Sequence, residues 1–214
     1  MPKVLIADQL SPAAVAIFKE RGVEAATKIR LSKDELLKVI SEYDGLAVRS
    51  ATKVNADVLK AAKRLKVIGR AGIGVDNIDV PAATAAGIIV MNTPFGNSIT
   101  TAEHAIALMM ALARDIPAAN ASTHAGKWEK NRFMGVELYG KVLGLVGCGN
   151  IGSIVADRAK GLKMRVIAFD PYLSPERAAD LGVEKVEFDD LLARADFISL
   201  HTPLTNETKN IVSA

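Results

Sequence analysis

The feature that most constrains the fold is a regular alternation of short apolar segments with helix-like segments. In the first hundred residues, apolar segments rich in β-forming residues recur about every 20 residues. They comprise residues 4–7, 23–26, 46–48, 67–68 and 88–91. Because strands that alternate with helices pair as parallel βαβ units, the pattern predicts a doubly wound α/β fold.

Three of the predicted helices begin with capping signals. Ser11 and Pro12 supply an N-cap and a proline at the first helical position. Residues 32–35, with the sequence SKDE, match a capping box, and Asn55 can cap a helix over residues 56–63. These signals place helix starts where the alternation requires them.

The second half of the chain begins differently. One long helix is predicted from Thr100 to Ala118, and Pro117 should end or kink it. An irregular segment follows between Gly126 and Leu138. A second alternating series then predicts strands at residues 142–146, 165–169, 186–188 and 197–200 and helices at 151–162, 175–180 and 190–195. We therefore expect two domains, residues 1–97 and 98–214.

A glycine-rich hexapeptide, GCGNIG, lies between a predicted strand and a predicted helix and matches G-x-G-x-x-G. Gly147 permits the tight turn, Gly149 lets the backbone approach a pyrophosphate, and Gly152 allows the helix to pack closely on the strand. The first helical residues, Asn150 and Ile151, offer N–H groups and the positive end of the helix dipole to phosphates. The hexapeptide therefore predicts a dinucleotide site.

An acidic residue follows at the spacing that such a site requires. Asp170 ends the next predicted strand, about 20 residues beyond the first glycine. A carboxylate there accepts hydrogen bonds from the adenosine ribose and repels a 2′-phosphate. The sequence thus predicts NAD rather than NADP as the cofactor; the alternative is a structural turn followed by an exposed acid.

Composition excludes several other classes of function. The net charge is only +3 and aromatic residues make up 5%, which argues against nucleic-acid binding. Cys148 is the only cysteine, so no intrachain disulfide forms and a reducing compartment fits. No metal-ligand spacing and no G-x-S-x-G motif occur. The apolar runs are too short for a signal peptide or a membrane span, so we expect a cytoplasmic protein.

Several motifs, in order along nearly the whole chain, resemble those of the NAD-dependent D-2-hydroxyacid dehydrogenases. They are VRSAT at 48–52, GRAGIGVDNID at 69–79, NTPFGN at 92–97, KWE at 127–129 with FMG at 133–135, and HTP at 201–203. The resemblance implies a flavodoxin-like substrate domain followed by the first half of a Rossmann, doubly wound NAD-binding domain. Within the family it points to the branch that acts on 3-phospho-D-glycerate.

The resemblance also implies roles for individual residues. It assigns four to the substrate: Arg49, Ser50, Arg70 and Asn97. It assigns three more to the cofactor: Ile73, His201 and Thr202. Arginine forks suit a substrate that carries a carboxylate and a phosphate, because they bind such groups bidentately. The alternatives are surface ion pairs for the two arginines and local turns for Ser50 and Asn97.

In this family the proton donor is a His paired with a Glu, and an Arg orients the substrate carboxylate. All three lie on motifs downstream of Ala214, so we expect this chain alone to be inactive, with no catalytic residue of its own. His201 is the one candidate substitute, but the resemblance places it near the cofactor. The parent protein is expected to oxidise 3-phospho-D-glycerate with NAD, towards L-serine; the alternative is an NAD-sensing or co-repressor-type binding module.

The long predicted helix also suggests an oligomer. The stretch from Thr100 to Ala118 carries more apolar surface than one face requires, and Trp128 lies on the irregular segment between Gly126 and Leu138. Exposed apolar patches usually mark interfaces. Since the resemblance places a two-fold contact here, we expect a homodimer; the alternative is burial within one subunit.

Overall fold

The computed structural model describes residues 1–213, which divide into two compact units, one from Met1 to Asn97 and one that begins at Ser98. Each unit contains one parallel sheet with helices between the strands. Among the described residues, no helix combines the length and the apolar character that crossing a bilayer requires.

The first unit contains five parallel strands in the order β2-β1-β3-β4-β5. The strands are β1 (Lys3–Ile6), β2 (Glu24–Thr27), β3 (Gly45–Val48), β4 (Val67–Arg70) and β5 (Ile89–Asn92). The helices are α1 (Pro12–Glu20), α2 (Lys33–Val39), α3 (Ala56–Ala61) and α4 (Val80–Ala85), with a 3-10 turn at Ile40–Glu42. This strand order is the flavodoxin-like one, as predicted.

The capping signals read from the sequence are confirmed. Ser11 caps α1 with Pro12 in the first turn. The Ser32 hydroxyl accepts from the Glu35 N–H while the Glu35 carboxylate accepts from the Ser32 N–H, which completes the capping box of α2. Asn55 caps α3 through the Val58 N–H, although that helix ends at Ala61 rather than residue 63.

The second unit contains four parallel strands in the order β8-β7-β6-β9. Its elements in chain order are α5 (Ser98–Ala113), α6 (Ile116–His124), β6 (Val142–Val146), α7 (Asn150–Gly161), β7 (Arg165–Phe169), α8 (Pro175–Leu181), β8 (Glu184–Lys185), α9 (Phe188–Arg194) and β9 (Phe197–Leu200). By order of appearance this is 3-2-1-4, the first part of the Rossmann arrangement. The central strand β6 is buried along its whole length, as a parallel strand covered on both faces should be.

The prediction of one helix from Thr100 to Ala118 is wrong. The first helix ends at Ala113, Asp115 adopts a left-handed φ of 50°, and Pro117 lies in the first turn of α6. Proline fits there because its missing N–H would have no helical acceptor anyway. The break is stabilised from outside the helix, since the Val136 N–H donates to the Ala113 carbonyl at 2.8 Å.

The predicted strand at residues 186–188 is also wrong. The strand is the shorter Glu184–Lys185, and Phe188 already begins α9. Val186 and Phe188 are apolar because they pack on the core beside Val146, not because they alternate along a strand. The two acids that follow Phe188 lie in the first helical turn, where the helix dipole favours negative charge.

Candidate cofactor and substrate sites

The glycine-rich loop connects β6 to α7, as predicted. Gly147 leaves the strand with φ of 94°, and its N–H donates to the Phe169 carbonyl at 2.8 Å. A Cβ at this position would lie 2.7 Å from the carbonyl oxygen of His201. Only glycine therefore satisfies both the backbone conformation and the close approach of the neighbouring chain.

Gly149 and Gly152 lack side chains for different reasons. A Cβ on Gly152 would overlap the carbonyl oxygen of Gly147, so this glycine lets α7 pack against the loop. A Cβ on Gly149 would meet no protein atom within 4 Å. Gly149 therefore borders open space, which is where a pyrophosphate would approach the backbone.

The start of α7 is open to an anion. Its N-cap is Gly149, and no side chain caps this end of the 12-residue helix. Asn150 is exposed and Ile151 is half-buried at the first two helical positions. The N–H groups of a first helical turn have no intrahelical acceptor, so they and the helix dipole can bind phosphate oxygens.

Asp170 is held beside this loop. One carboxylate oxygen accepts from the Cys148 N–H at 2.8 Å, and the other accepts from the Tyr172 N–H at 2.9 Å. Each oxygen retains a further lone pair. The carboxylate is thus fixed in place by the backbone and can still accept hydrogen bonds from ribose hydroxyls.

His201 and Thr202 lie next to Gly147. The His201 N–H donates to the Val146 carbonyl at 2.8 Å, and the Thr202 methyl would lie 3.1 Å from a Cβ on Gly147. The ring Nε2 of His201 is 2.8 Å from the Ser199 hydroxyl. Burial lowers the pKa of His201 below its ordinary value of 6.5, so the ring is neutral at pH 7.

Cys148 supplies the N–H that positions Asp170, a role that was not among the predictions from sequence. Its thiol is buried, and burial raises the pKa of Cys148 with a further contribution from the Asp170 charge. The side chain therefore packs as a small apolar group while its backbone serves the site. The motif allows any residue between its first two glycines, so the motif alone does not indicate that the backbone N–H at this position donates to Asp170.

In the first unit, Arg49 and Ser50 follow β3 at the carboxyl edge of the sheet, and both are exposed. Asp8, which follows β1, is buried and holds their loop: its carboxylate accepts from the Arg49 N–H at 2.6 Å and from the Thr52 N–H and hydroxyl at 3.2 and 2.7 Å. Asp8 was not among the predicted site residues, although an acid directly after an apolar strand was the available signal.

Arg70 lies at the end of β4, but its guanidinium folds onto its own loop. It donates to the Gly74 carbonyl and lies 3.6 Å from the Asp76 carboxylate, with only 10% of the side chain exposed. In the same loop, the Ile73 carbonyl accepts from the Asn92 side chain at 2.6 Å. Arg70 thus helps to order the loop that contains Ile73.

The structure brings only some of the predicted substrate residues together. Arg49 and Ser50 line one cavity of about 280 Å³ at the sheet edge of the first unit. Arg70 and Ile73 share the loop after β4, and Asn97 is an exposed residue at the end of the unit, not a lining residue of that cavity. In the second unit the residues predicted to bind the cofactor surround the glycine-rich loop.

A parallel α/β sheet with a glycine-rich loop, an open helix start and a positioned acid defines a dinucleotide-binding protein. Residues 106–214 match the family model described as D-isomer specific 2-hydroxyacid dehydrogenase, NAD binding domain. The chain belongs to the D-isomer specific 2-hydroxyacid dehydrogenase family, which confirms both the resemblance and the predicted cofactor.

Similar proteins agree with this assignment. The D-3-phosphoglycerate dehydrogenase of Archaeoglobus fulgidus is 51% identical over 210 residues, which cover 98% of this chain and 40% of the relative. That of Methanocaldococcus jannaschii is 52% identical over 214 residues, with 99% and 40% covered. The chain therefore spans 40% of the length of these relatives. The crystal structure of the TT0316 protein from Thermus thermophilus superposes with a TM-score of 0.87 at 37% identity, covering 96% of this chain and 66% of that one.

Proposed function

We propose that this chain is part of an enzyme that oxidises 3-phospho-D-glycerate to 3-phosphohydroxypyruvate with NAD, a step towards L-serine. The observation that carries the proposal is identity of about half of all residues, over nearly the whole chain, to proteins named D-3-phosphoglycerate dehydrogenase. In this proposal residues 1–97 bind the substrate, and residues from 98 onward, together with Ile73, bind the cofactor. No observation favours the NAD-sensing alternative.

The second unit supports the cofactor half of the proposal. Open space at Gly149 and the uncapped start of α7 suit a pyrophosphate, and Asp170 suits a ribose without a 2′-phosphate. Bound NAD supplies the hydride acceptor. The chain's own contribution is to hold the cofactor and to exclude NADP through the fixed negative charge of Asp170.

The first unit supports the substrate half. Arg49 and Ser50 present a cation and a hydroxyl at the carboxyl edge of a parallel sheet, the edge at which such folds bind their ligands. Arg70 and Asn97 are proposed to contact the substrate, as the family resemblance implies. Arg70 also orders the loop of Ile73, the residue of this unit that the resemblance assigns to the cofactor.

His201 does not suit the role of proton donor. Its Nε2 already pairs with the Ser199 hydroxyl, and its lowered pKa leaves little imidazolium at neutral pH. We assign it, with Thr202, to the wall of the cofactor site beside Gly147. The resemblance places the donor His, its Glu partner and the carboxylate-orienting Arg outside these 214 residues.

We further propose a cytoplasmic homodimer that forms through the stretch from Thr100 to Ala118 and the segment between Gly126 and Leu138. Support comes from large apolar side chains that are exposed along both: Leu108, Leu112, Ile116, Trp128 and Met134. A two-fold contact would bury each of these side chains twice.

The activity can be tested with the complete gene product. NADH formation is measured with 3-phospho-D-glycerate, D-glycerate and D-lactate as alternative substrates. We expect 3-phospho-D-glycerate to give the highest kcat/KM and Arg49→Ala to lower it by at least about tenfold, since a charge-assisted contact is lost. Arg21→Ala, an exposed arginine of the same unit, is the control. Preference for D-lactate, or no turnover of 3-phospho-D-glycerate, would contradict the proposal.

A further inference from the structure

Arg30 adopts a backbone conformation that arginine rarely takes. It lies between β2 and α2 with φ of 60°, in the left-handed region that glycine tolerates and side chains with a Cβ disfavour. The side chain is exposed. Arg30 therefore occupies a position at which the backbone conformation favours glycine.

The chain on both sides of Arg30 is fixed, which explains why the conformation persists. Before it, the Lys28 N–H donates to the Ile6 carbonyl at 3.0 Å. After it, Leu31 packs against the core of the unit and Ser32 opens the capping box of α2. Strained residues persist only when their surroundings determine them, and such residues concentrate at functional sites.

Arg30 lines the same cavity as Arg49, Ser50 and Thr52, a space of about 280 Å³ at the carboxyl edge of the sheet. The one acid in the lining is Asp8, whose two oxygens already accept from the loop of residues 49–52. Within residues 1–213, neither the Arg30 nor the Arg49 guanidinium forms an ion pair or a side-chain hydrogen bond. The cavity thus presents two unpaired cations and a hydroxyl.

We infer that Arg30 and Arg49 form a two-arginine subsite for a phosphate monoester, with Arg30 as the residue that distinguishes phosphorylated from unphosphorylated hydroxyacids. Two planar guanidinium groups match a phosphate dianion in charge and in donor number. Arg30 lies outside every motif that carries the family resemblance, so this assignment comes from the geometry. The assignment of the subsite rests on the proposed function only in one respect: it takes the phosphate group to be that of the proposed substrate.

Substitution of Arg30 by glycine gives a direct test, because glycine suits the local backbone and the variant should fold at least as well. Lys163→Gly is a matched control: Lys163 is also an exposed cation with a left-handed φ, 61°, but it belongs to the second unit. Calorimetry of the 214-residue chain with inorganic phosphate should show affinity about tenfold weaker for Arg30→Gly and unchanged for Lys163→Gly. Arg30→Lys should lie between Arg30→Gly and the unmodified chain.

Three results would overturn the subsite: no phosphate binding by the unmodified chain, equal affinity in Arg30→Gly, or an equal loss in Lys163→Gly. A second arm uses the complete gene product, in which Arg30→Gly should lower kcat/KM for 3-phospho-D-glycerate while D-glycerate turnover stays within about twofold. If the gene product does not oxidise 3-phospho-D-glycerate but Arg30→Gly still weakens phosphate binding, the proposed function fails and the subsite stands.

Discussion

At the scale of single residues, the glycines in and next to α7 allow effects on folding to be measured separately from effects on cofactor binding. Gly152 is needed because a Cβ would overlap the Gly147 carbonyl, whereas Gly149 faces open space. Gly161, at the other end of the same helix, also has room for a Cβ, which would meet no atom within 4 Å. Substitution of glycine by alanine should therefore have a different effect on stability and on NAD binding at each of these three positions.

We predict that Gly152→Ala lowers the free energy of unfolding by about 1–3 kcal/mol, because the added methyl group overpacks the loop. Gly149→Ala should have a much smaller effect on unfolding but weaken NAD binding by at least about tenfold, since the methyl group occupies the space of the pyrophosphate. Gly161→Ala is the control and should stabilise α7 by up to about 1 kcal/mol. Denaturant unfolding and calorimetry measure both quantities. A Gly152→Ala variant as stable as the unmodified chain would contradict this account.

Some residues of the candidate sites could be predicted from the sequence and others could not. Gly147, Gly149 and Asp170 follow a spacing that is set by strand and helix lengths, so local pattern is sufficient. Asp8 and Arg30 belong to no such spacing. Their roles depend on which loops meet at the sheet edge and on a left-handed backbone that only the folded chain determines.

At the scale of elements, strand positions were predictable where the chain has a short continuous apolar run, whether the strand is buried along its length, as β6 is, or half-exposed at the edge of the sheet, as β9 is. The bounds of β6, β7 and β9 match the predictions because these runs have no competing helical signal. Pro117 predicted a break in the long helix, but not its position after Ala113, whose carbonyl accepts a hydrogen bond from Val136, a residue distant in sequence. For residues 186–188, the local apolar alternation wrongly predicted a strand, because Val186 packs on the core from an irregular segment and Phe188 packs on it from the first turn of α9.

The prediction for a single element concerns the exposed apolar face of α5, which we propose as part of the dimer contact. Leu112 is 71% exposed, and we expect it to be buried at the proposed dimer contact. Leu112→Asp should raise the dimer dissociation constant by more than about a hundredfold, because a two-fold contact loses the apolar side chain twice. Sedimentation at micromolar concentration measures this. Leu192→Asp, on the exposed side of α9, is the control and should leave the assembly unchanged. A monomeric unmodified chain, or a Leu112→Asp variant that stays dimeric, would contradict the proposed interface.

At the scale of the whole molecule, the fold was predictable because two independent series of strands and helices each specify a parallel sheet. The order β2-β1-β3-β4-β5 is the flavodoxin-like one, and the order β8-β7-β6-β9 is the first part of the Rossmann arrangement. Strand order alone does not identify a function, since one fold serves many functions. Membership in the dehydrogenase family supplies that information, because it identifies the second unit as an NAD-binding domain. We expect above all that the second unit holds NAD and selects it over NADP through Asp170.

The measurement that tests this claim most directly is calorimetry of NAD and NADP with the 214-residue chain and two variants. We predict that the unmodified chain binds NAD more tightly than NADP. Asp170→Ala should weaken NAD binding and narrow the difference, because the ribose acceptor and its negative charge are both lost. Asp180→Ala, an exposed acid near the end of α8, should change neither affinity. NADP bound as tightly as NAD by the unmodified chain would contradict the claim.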